Sequence, residues 1–471
     1  MAKVETVVFL SLILDLFAFT IPLPLFPRLI EWYTLRESTN DSGLLSQTLN
    51  FVRSVRSLLY KPGVQSQRWD VVLLGGLMGS VFSALQFFIS PKIGALSDKY
   101  GRKKVLLLTM IGNILSALVW LKSTTFATYM LSRVIGGLSE GNVQLAIAIL
   151  SDITTAANRS KALAHVGIAF AICFCIGPPI GAYFASRPLP QSVSSLGFEL
   201  NIYAVPALIT LILLAIETIF LIVALPETRG TKAPEHKKSA ASASPSKTQP
   251  PKPTKRFTIQ QRIQNLKTLR RLHFSFLAVF SGVEFTLTFL TFDLLDWNNT
   301  QNGKLIGSIG VVSALLQGGY VRRSASRIGE GKMARQGVAS CVLSLILLAV
   351  FPNYVQTNQT FALRLLQLAA VCLAFTSATV VNSLTAFASL QCDDPSVDPD
   401  TGKPLEENPE LAKGKALGKF RSSGQLGRAL GPLIACASYW TFGPSITYSL
   451  SAVTMFALYI TMKPIAISKS V

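Results

Sequence analysis

Apolar stretches of span length recur along the whole chain, and no other feature limits its fold so severely. A helix needs about 20 largely apolar residues to cross the hydrocarbon core of a bilayer. Twelve segments of the 471-residue sequence meet that requirement: 5–30, 71–92, 104–122, 126–150, 162–186, 202–225, 273–296, 304–321, 335–353, 361–389, 415–440 and 443–463. Lipid offers the backbone no hydrogen-bond partners, so an open-chain segment inside it must be helical. The sequence therefore predicts an all-α membrane protein with twelve transmembrane helices. Composition agrees: 50% of the residues are hydrophobic and 14% are charged, against about 25% charged in an ordinary soluble domain. Residues 7–26 have the length of a secretory signal. Asp15 sits in their middle, however, and Pro22, Pro24 and Pro27 follow without a small-residue cleavage site. They read as a retained first span.

The chain is basic, with 44 Lys and Arg against 24 Asp and Glu and a net charge of +20. These charges lie between the apolar stretches and in one central segment. Nucleic acid is therefore not an expected partner, and the lipid bilayer is. Lys99, Arg102, Lys103 and Lys104 separate spans 2 and 3, and Arg159 and Lys161 follow span 4. Arg322, Arg323, Arg327, Lys332 and Arg335 separate spans 8 and 9. All these loops fall on one side, with both termini, and the positive-inside rule makes that side cytoplasmic. The outer loop 31–70 is also basic but long, and the inner loop 391–413 is acidic; neither weighs much in the rule. Glycosylation patterns at Asn40, Asn298 and Asn358 fall outside, and a fourth at Asn158 falls inside. The expected location is the plasma membrane or an endomembrane such as a vacuole or endosome.

Segment 229–271 is rich in Ser, Pro, Lys and Arg. Ser239–Pro253 has too little apolar content to fold, and Thr258–Leu272 reads as a basic amphipathic helix on the membrane surface. This seam divides the chain into a six-helix bundle at 1–228 and another at 272–471. The two share an order of features. Each opens with a span carrying an acid near its middle, Asp15 or Glu284. Each has a Gly-plus-basic loop after its second span, Gly94–Lys104 or Gly318–Lys332. Each has a Gly-Pro break in its fifth span, Gly177-Pro178 or Gly431-Pro432. Such duplication is common among transporters.

Charges inside spans are costly, about 2.5–3.5 kcal/mol at the bilayer centre, and normally face a cavity or a partner. Arg133, Glu140 and Gln144 fall on one face of a continuous span 4, with Arg133 and Glu140 about 10 Å apart. Arg421, Gln425 and Arg428 share a face of span 11, and Glu284 is the nearest acid of the second half. Each has a plainer reading: Arg421 at a span end with its head in water, Asp15 or Glu284 as the structural partner of an arginine. Glu217 in span 6 fits any of these.

The most specific string is Gly94-Ala-Leu-Ser-Asp98-Lys-Tyr-Gly101-Arg102-Lys103-Lys104. Its glycines permit a tight interhelical turn, and Asp98 can cap a helix start or pair with an arginine. The string resembles the signature loop of the major facilitator superfamily. Arg133 with Gly136 and Gly137 resembles that family's second motif, linked to proton coupling. Gly177-Pro-Pro-Ile-Gly181 resembles the motif of its drug:proton antiporters, although Cys173 and Ala182 stand where glycine is usual. Pro226-Glu-Thr228 closes span 6 as in many members. Asp15 with Ile21-Pro-Leu-Pro24 and Ser151-Asp-Ile-Thr154 is similar to the tetracycline-efflux branch. Phe280-Ser-Gly-Val-Glu284, Gly418-Lys-Phe-Arg421 and Arg428-Ala-Leu-Gly-Pro432 are similar to its eukaryotic members, which are associated with organic-anion efflux.

The resemblance implies the major facilitator fold, two pseudo-symmetric six-helix bundles, and a monomeric secondary transporter. It moves a small organic solute by alternating access, with a proton as the second partner. Arg428, Gln425, Arg421 and Gln144 are the expected substrate-binding residues. Asp15, Arg133, Glu140 and Glu284 are the expected proton-coupling residues. Gly94, Asp98, Gly101, Arg102, Gly177, Pro178 and Gly181 are the expected gating residues. A uniporter or symporter of the same fold and a non-transporting scaffold or receptor are the alternatives. No cofactor is expected. Gly331-Lys332 lacks the remaining residues of a phosphate loop, which leaves ATP-driven pumping unsupported. His165, His236 and His273 are scattered and the six cysteines show no ligand spacing, so no metal site is expected.

Overall fold

The computed structural model describes residues 2–22, 25–37, 42–59, 67–185, 204–230, 258–297, 299–393 and 408–464. Asn40, Asn298, Ser239–Pro253 and most of the acidic 391–413 loop lie outside them. The described residues form helices and no strand. The first half contains α1 (Ala2–Thr20), α2 (Phe26–Arg36), α3 (Leu44–Leu59), α4 (Gln67–Tyr100) and α5 (Arg102–Leu121). It continues with α6 (Phe126–Ser139), α7 (Asn142–Ile153), α8 (Ala156–Ala185) and α9 (Ala204–Ala224). The second half contains α10 (Ile259–Leu295), α11 (Asn299–Leu316), α12 (Arg322–Ile328) and α13 (Glu330–Val350). It closes with α14 (Gln359–Gln391), α15 (Lys413–Phe442) and α16 (Pro444–Thr461). Every expected span has its helix, with α6 and α7 together making span 4. Eight helical segments among the described residues are long and apolar enough to cross a membrane.

The outer surface identifies the solvent. In α5, Leu108, Ile111, Leu115 and Leu118 are exposed while Thr109, Asn113 and Ser116 are buried. In α9, Ile212, Ile216, Ile219 and Val223 are exposed while Thr210 and Glu217 are buried. The polar groups face inward and the apolar stripe faces out, the reverse of a soluble helix. Lipid supplies little hydrophobic drive between helices, so close contacts between small residues matter more.

Two cores follow the two halves. One cluster joins residues from Val8 to Leu225, with Ala386 as its one member from the later chain. The other joins residues from Leu266 to Met462, with Ala148 as its one member from the earlier chain.

Five features differ from expectation. Span 1 stops at Thr20, turns at 21–22 and restarts as α2 with Pro27 in its first turn, a position where the missing N–H costs nothing. The outer loop 31–70 holds the end of α2 and all of α3. The expected breaks at Gly177-Pro178 and Gly431-Pro432 are absent: α8 and α15 continue through their prolines, as transmembrane helices with supporting neighbours can. Gly177 and Gly181 instead let α8 approach the end of α1, since a Cβ there would meet Thr20 Oγ1 or the Ile21 carbonyl. The basic helix expected to lie flat on the membrane is collinear with span 7, forming one 37-residue helix. A capping box between Thr258 and Gln261 starts it, and Arg262 and Asn265 dock onto Asp393 and Gln391 at the end of α14.

The fifth difference bears on function. Span 4 is broken at Glu140–Gly141, where Glu140 is extended at φ −69°, ψ 99°. Gly141 sits between Ile93 and Thr109, whose methyl groups would both lie 3.0 Å from a Cβ. A side chain there would press on both methyl groups, so packing from α4 and α5 favours glycine. Arg133, Glu140 and Gln144 therefore do not share the face of one continuous helix.

Candidate functional site

The Gly94–Lys104 string builds a latch between the halves. Gly94 packs against the Gly414 carbonyl so closely that a Cβ would overlap it. That contact brings Asp98 to the first turn of α15. Asp98 Oδ1 accepts from Gly414 N at 2.9 Å and Oδ2 from Lys415 N at 2.6 Å. A carboxylate there satisfies orphan donors and meets the positive end of the helix. Arg102 Nη1 donates to Asp98 Oδ1 at 2.8 Å, and Nε donates to Asp152 Oδ2 at 2.9 Å. Gly101 makes the turn at φ +103°. Behind it, Glu227 accepts from Arg102 N and Lys103 N at 2.8 and 3.2 Å. Burial alone would raise the Glu227 carboxyl. Backbone N–H donors of Arg229, Arg102, Lys103 and Thr228 outweigh it and hold the group below its ordinary value.

Around this latch runs a wider polar network at the same end of the bundle. Lys413 Nζ pairs with Asp393 at 3.2 Å and with Asp152 at 3.6 Å. Arg159, 1% exposed, donates to Asp393 Oδ2 at 3.0 Å and to Ser389 Oγ at 2.6 Å. Ser151 and Ser389 share a hydrogen bond of 2.6 Å. Arg159, Lys413 and Asp393 join residues far apart in sequence, and only their position in inner loops could have singled them out.

Helix α15 is held on two sides. Gly414, Gly418 and Ser422 meet α4, while Gly424, Gly427 and Gly431 meet α10. On the same helix Arg421 and Gln425 are half-buried and Arg428 is exposed. Arg421 lies within Coulombic range of Glu140 and Asp15 across the halves. Arg428 and Glu284 are both exposed and interact electrostatically. Gln144 does not join this group. It is 3% exposed and donates to the Ser90 carbonyl at 3.0 Å, because the break in span 4 turns it toward α4.

On the first-half side, Asp15 accepts from Asn142 Nδ2 at 2.6 Å. It lines a small cleft that admits water over about 60 Å³, together with Glu140, Arg133, Asn113, Trp120 and Phe82. The Arg133 guanidinium lies 5.6 Å from the Tyr129 ring centre and 5.9 Å from that of Trp120. Glu217, unranked in the sequence, is fully buried and accepts from Ser11 Oγ at 2.9 Å. Its signal was present as the one charge in a 21-residue apolar helix.

Helices at each of the twelve expected spans, a buried core in each half and charges gathered between them define a multi-pass transporter fold. The Major Facilitator Superfamily model matches residues 8–396, and the chain belongs to that family. It is 33% identical over 461 residues to major facilitator superfamily domain-containing protein 10 of Mus musculus, covering 95% of this chain and 90% of that protein. The crystal structure of the human organic anion transporter MFSD10 (TETRAN) is similar at a TM-score of 0.76 and 29% identity, over 98% of this chain and 99% of that chain. Tetracycline resistance protein, class H, of Pasteurella multocida is 33% identical over 106 residues, 22% of this chain and 26% of that protein. The family consists of transporters and not enzymes, and this chain is an integral multi-pass membrane protein.

Proposed function

We propose that the chain is a proton-coupled exporter of amphipathic organic anions that works by alternating access. The observation that carries this reading is the pair Arg421 and Arg428 on α15, set opposite Glu140, Asp15 and Glu284. Two cations in a membrane interior favour an anionic guest, and exposed Arg428 is free to meet it. Asp15, Glu140 or Glu284 carries the proton. Proton binding then shifts which cavity state is preferred, and coupling requires that differential. Bundles 1–228 and 272–471 rock about the cavity, with 229–271 as the connector. The Asp98–Gly414 latch closes the cytoplasmic end, and both termini lie on that side. The relation to a transporter described as moving organic anions supports the substrate class.

The test is purified protein in proteoliposomes, with a fluorescent amphipathic anion as probe. Uptake should rise at least five-fold under an inward-favouring pH gradient. Arg428→Ala should abolish saturable uptake and Arg428→Lys should restore part of it. Equal uptake with and without the gradient would indicate a uniporter. Unchanged uptake by Arg428→Ala would remove Arg428 from the site.

A further inference from the structure

The cleft in the first half has features that anion binding leaves unexplained. It is bounded by α1, α4, α5, α6 and α9 alone, without any residue from the second half. Trp120 lines it at 1% exposure, and its indole Nε1 has no hydrogen-bond partner. Nε of Arg133, also a lining residue, is likewise buried and unpartnered. Orphaned donors are costly in a dry interior. The cleft, about 60 Å³, accommodates a few waters at ~10–15 Å³ of such space each, and water would satisfy both donors.

The cleft also has a direction. Pro22 and Trp120 mark its end away from the 2–3 loop, near the turn after α1 and the end of α5. Asn113 lies two turns closer to the latch, and Asp15 and Glu140 lie deeper. Beyond Asp15 the polar groups continue. Asn142 donates to Asp15 at 2.6 Å, and Ser11, one turn before Asp15 on α1, donates to Glu217 at 2.9 Å. The second Glu217 oxygen is buried and unpartnered.

We propose that this file of polar groups is a water-filled proton route inside the first bundle. It runs from Trp120 and Arg133 through Asn113 to Asp15 and Glu140 and ends on Glu217. Protons thereby reach the coupling acids without crossing the anion-binding cavity. The proposal rests on the proton-coupled reading above and adds the path. Asp15 is faced by Glu140 and Asn142 from span 4, Glu217 from α9, Cys173 from α8 and Arg421 from α15. Arg421 is the one cation of the other half in this set. Proton arrival and anion binding are then linked through Arg421 while their paths stay separate.

The test compares two modes of flux in proteoliposomes. Anion–anion exchange needs no net proton transfer, whereas gradient-driven uptake does. Asn113→Leu replaces the polar wall by an apolar side chain of similar size. It should lower the ratio of gradient-driven to exchange flux at least ten-fold, and Trp120→Phe should lower it several-fold. An unchanged ratio in both variants overturns the route. If wild-type uptake ignores the gradient, the proton-coupled reading fails first, a different outcome. Hydroxyl-radical footprinting of the wild-type protein covers the case in which the variants do not fold. Trp120 and Phe82 should be oxidised at rates at least ten-fold above Phe276 and Phe387, which sit in the dry core of the second half. Rates equal to those of the core residues overturn the route.

Discussion

The loops after the second span of each half share a backbone but not a chemistry. Gly101 and Gly329 both precede a helix, at φ +103° and +90°. Arg102 follows the first and Glu330 the second. Asp98 binds two backbone N–H groups of α15, whereas Glu330 accepts from Ser160 Oγ near the start of α8 at 2.5 Å. Each loop thus reaches the fifth span of the opposite half. The tightness differs. Gly94 touches the Gly414 backbone, while a Cβ on Gly318 would find Ile168 Cδ1 at 3.9 Å and one on Gly319 would find open space. The second span of the second half also relaxes into a π-helical turn over Gln317–Val321, a feature frequent at functional sites. On that side the close contact falls on side chains, Gly167 against Gln317 and Asn382, so one loop closes backbone to backbone and the other region through side chains that can yield.

The largest expected effect breaks that asymmetry sterically. Gly94→Val forces a side chain into the Gly414 backbone, which cannot yield as a side chain would. Anion flux in proteoliposomes should fall at least 30-fold, while Gly318→Val should stay within about two-fold of wild type. Equal losses would mean the two loops are equivalent. Asp98→Asn comes next. Hydrogen bonds to a charged group contribute ~1.5–3 kcal/mol, so flux should fall about ten-fold. Glu330→Gln should cost about two- to three-fold. Cysteine labelling at the latch end should rise in Asp98→Asn and stay near wild type in Glu330→Gln.

Replacing the turn glycines sharpens the comparison further. Gly329→Ala meets only the left-handed backbone, a cost of ~1–2 kcal/mol. Gly101→Ala also meets Glu227. Its thermal midpoint should therefore fall further than that of Gly329→Ala; equal shifts would leave Glu227 without a part in the turn. The smallest effect concerns Glu227 itself, an exposed residue. Its carboxyl is lowered in the folded chain. Its stabilisation is thus present above the ordinary carboxylate value, ~4.3, and is lost as pH falls through the lowered folded value. Glu227→Gln should reduce the thermal midpoint slightly at pH 7 and by less as pH falls below ~4.3.

Legibility followed the range of the interaction. Span positions depend on local apolar length, so each expected span has its helix. The Gly94–Lys104 string was readable as a tight turn with a capping or pairing Asp98, because its glycines and charges are contiguous. Its receptor was not, since Gly414 lies 316 residues from Asp98. The break at Glu140–Gly141 carries no proline; what accompanies it is the close approach of Ile93 and Thr109 from other helices. Conversely, the prolines at 178 and 432 suggested breaks that neighbouring helices remove. The amphipathic pattern of 258–272 was real, but its partner is the end of α14 and not the lipid surface. Charges within spans could be named from sequence; which of them meet across the halves required the fold.

The central claim is that anion movement and proton movement are one process. Proteoliposomes with a weakly buffered lumen and a trapped pH dye test it directly. An organic anion added outside, with no imposed pH gradient, should alkalinise the lumen as protons leave in exchange. Arg428→Ala vesicles should show no change. Saturable anion entry into wild-type vesicles with a constant lumenal pH would contradict the account.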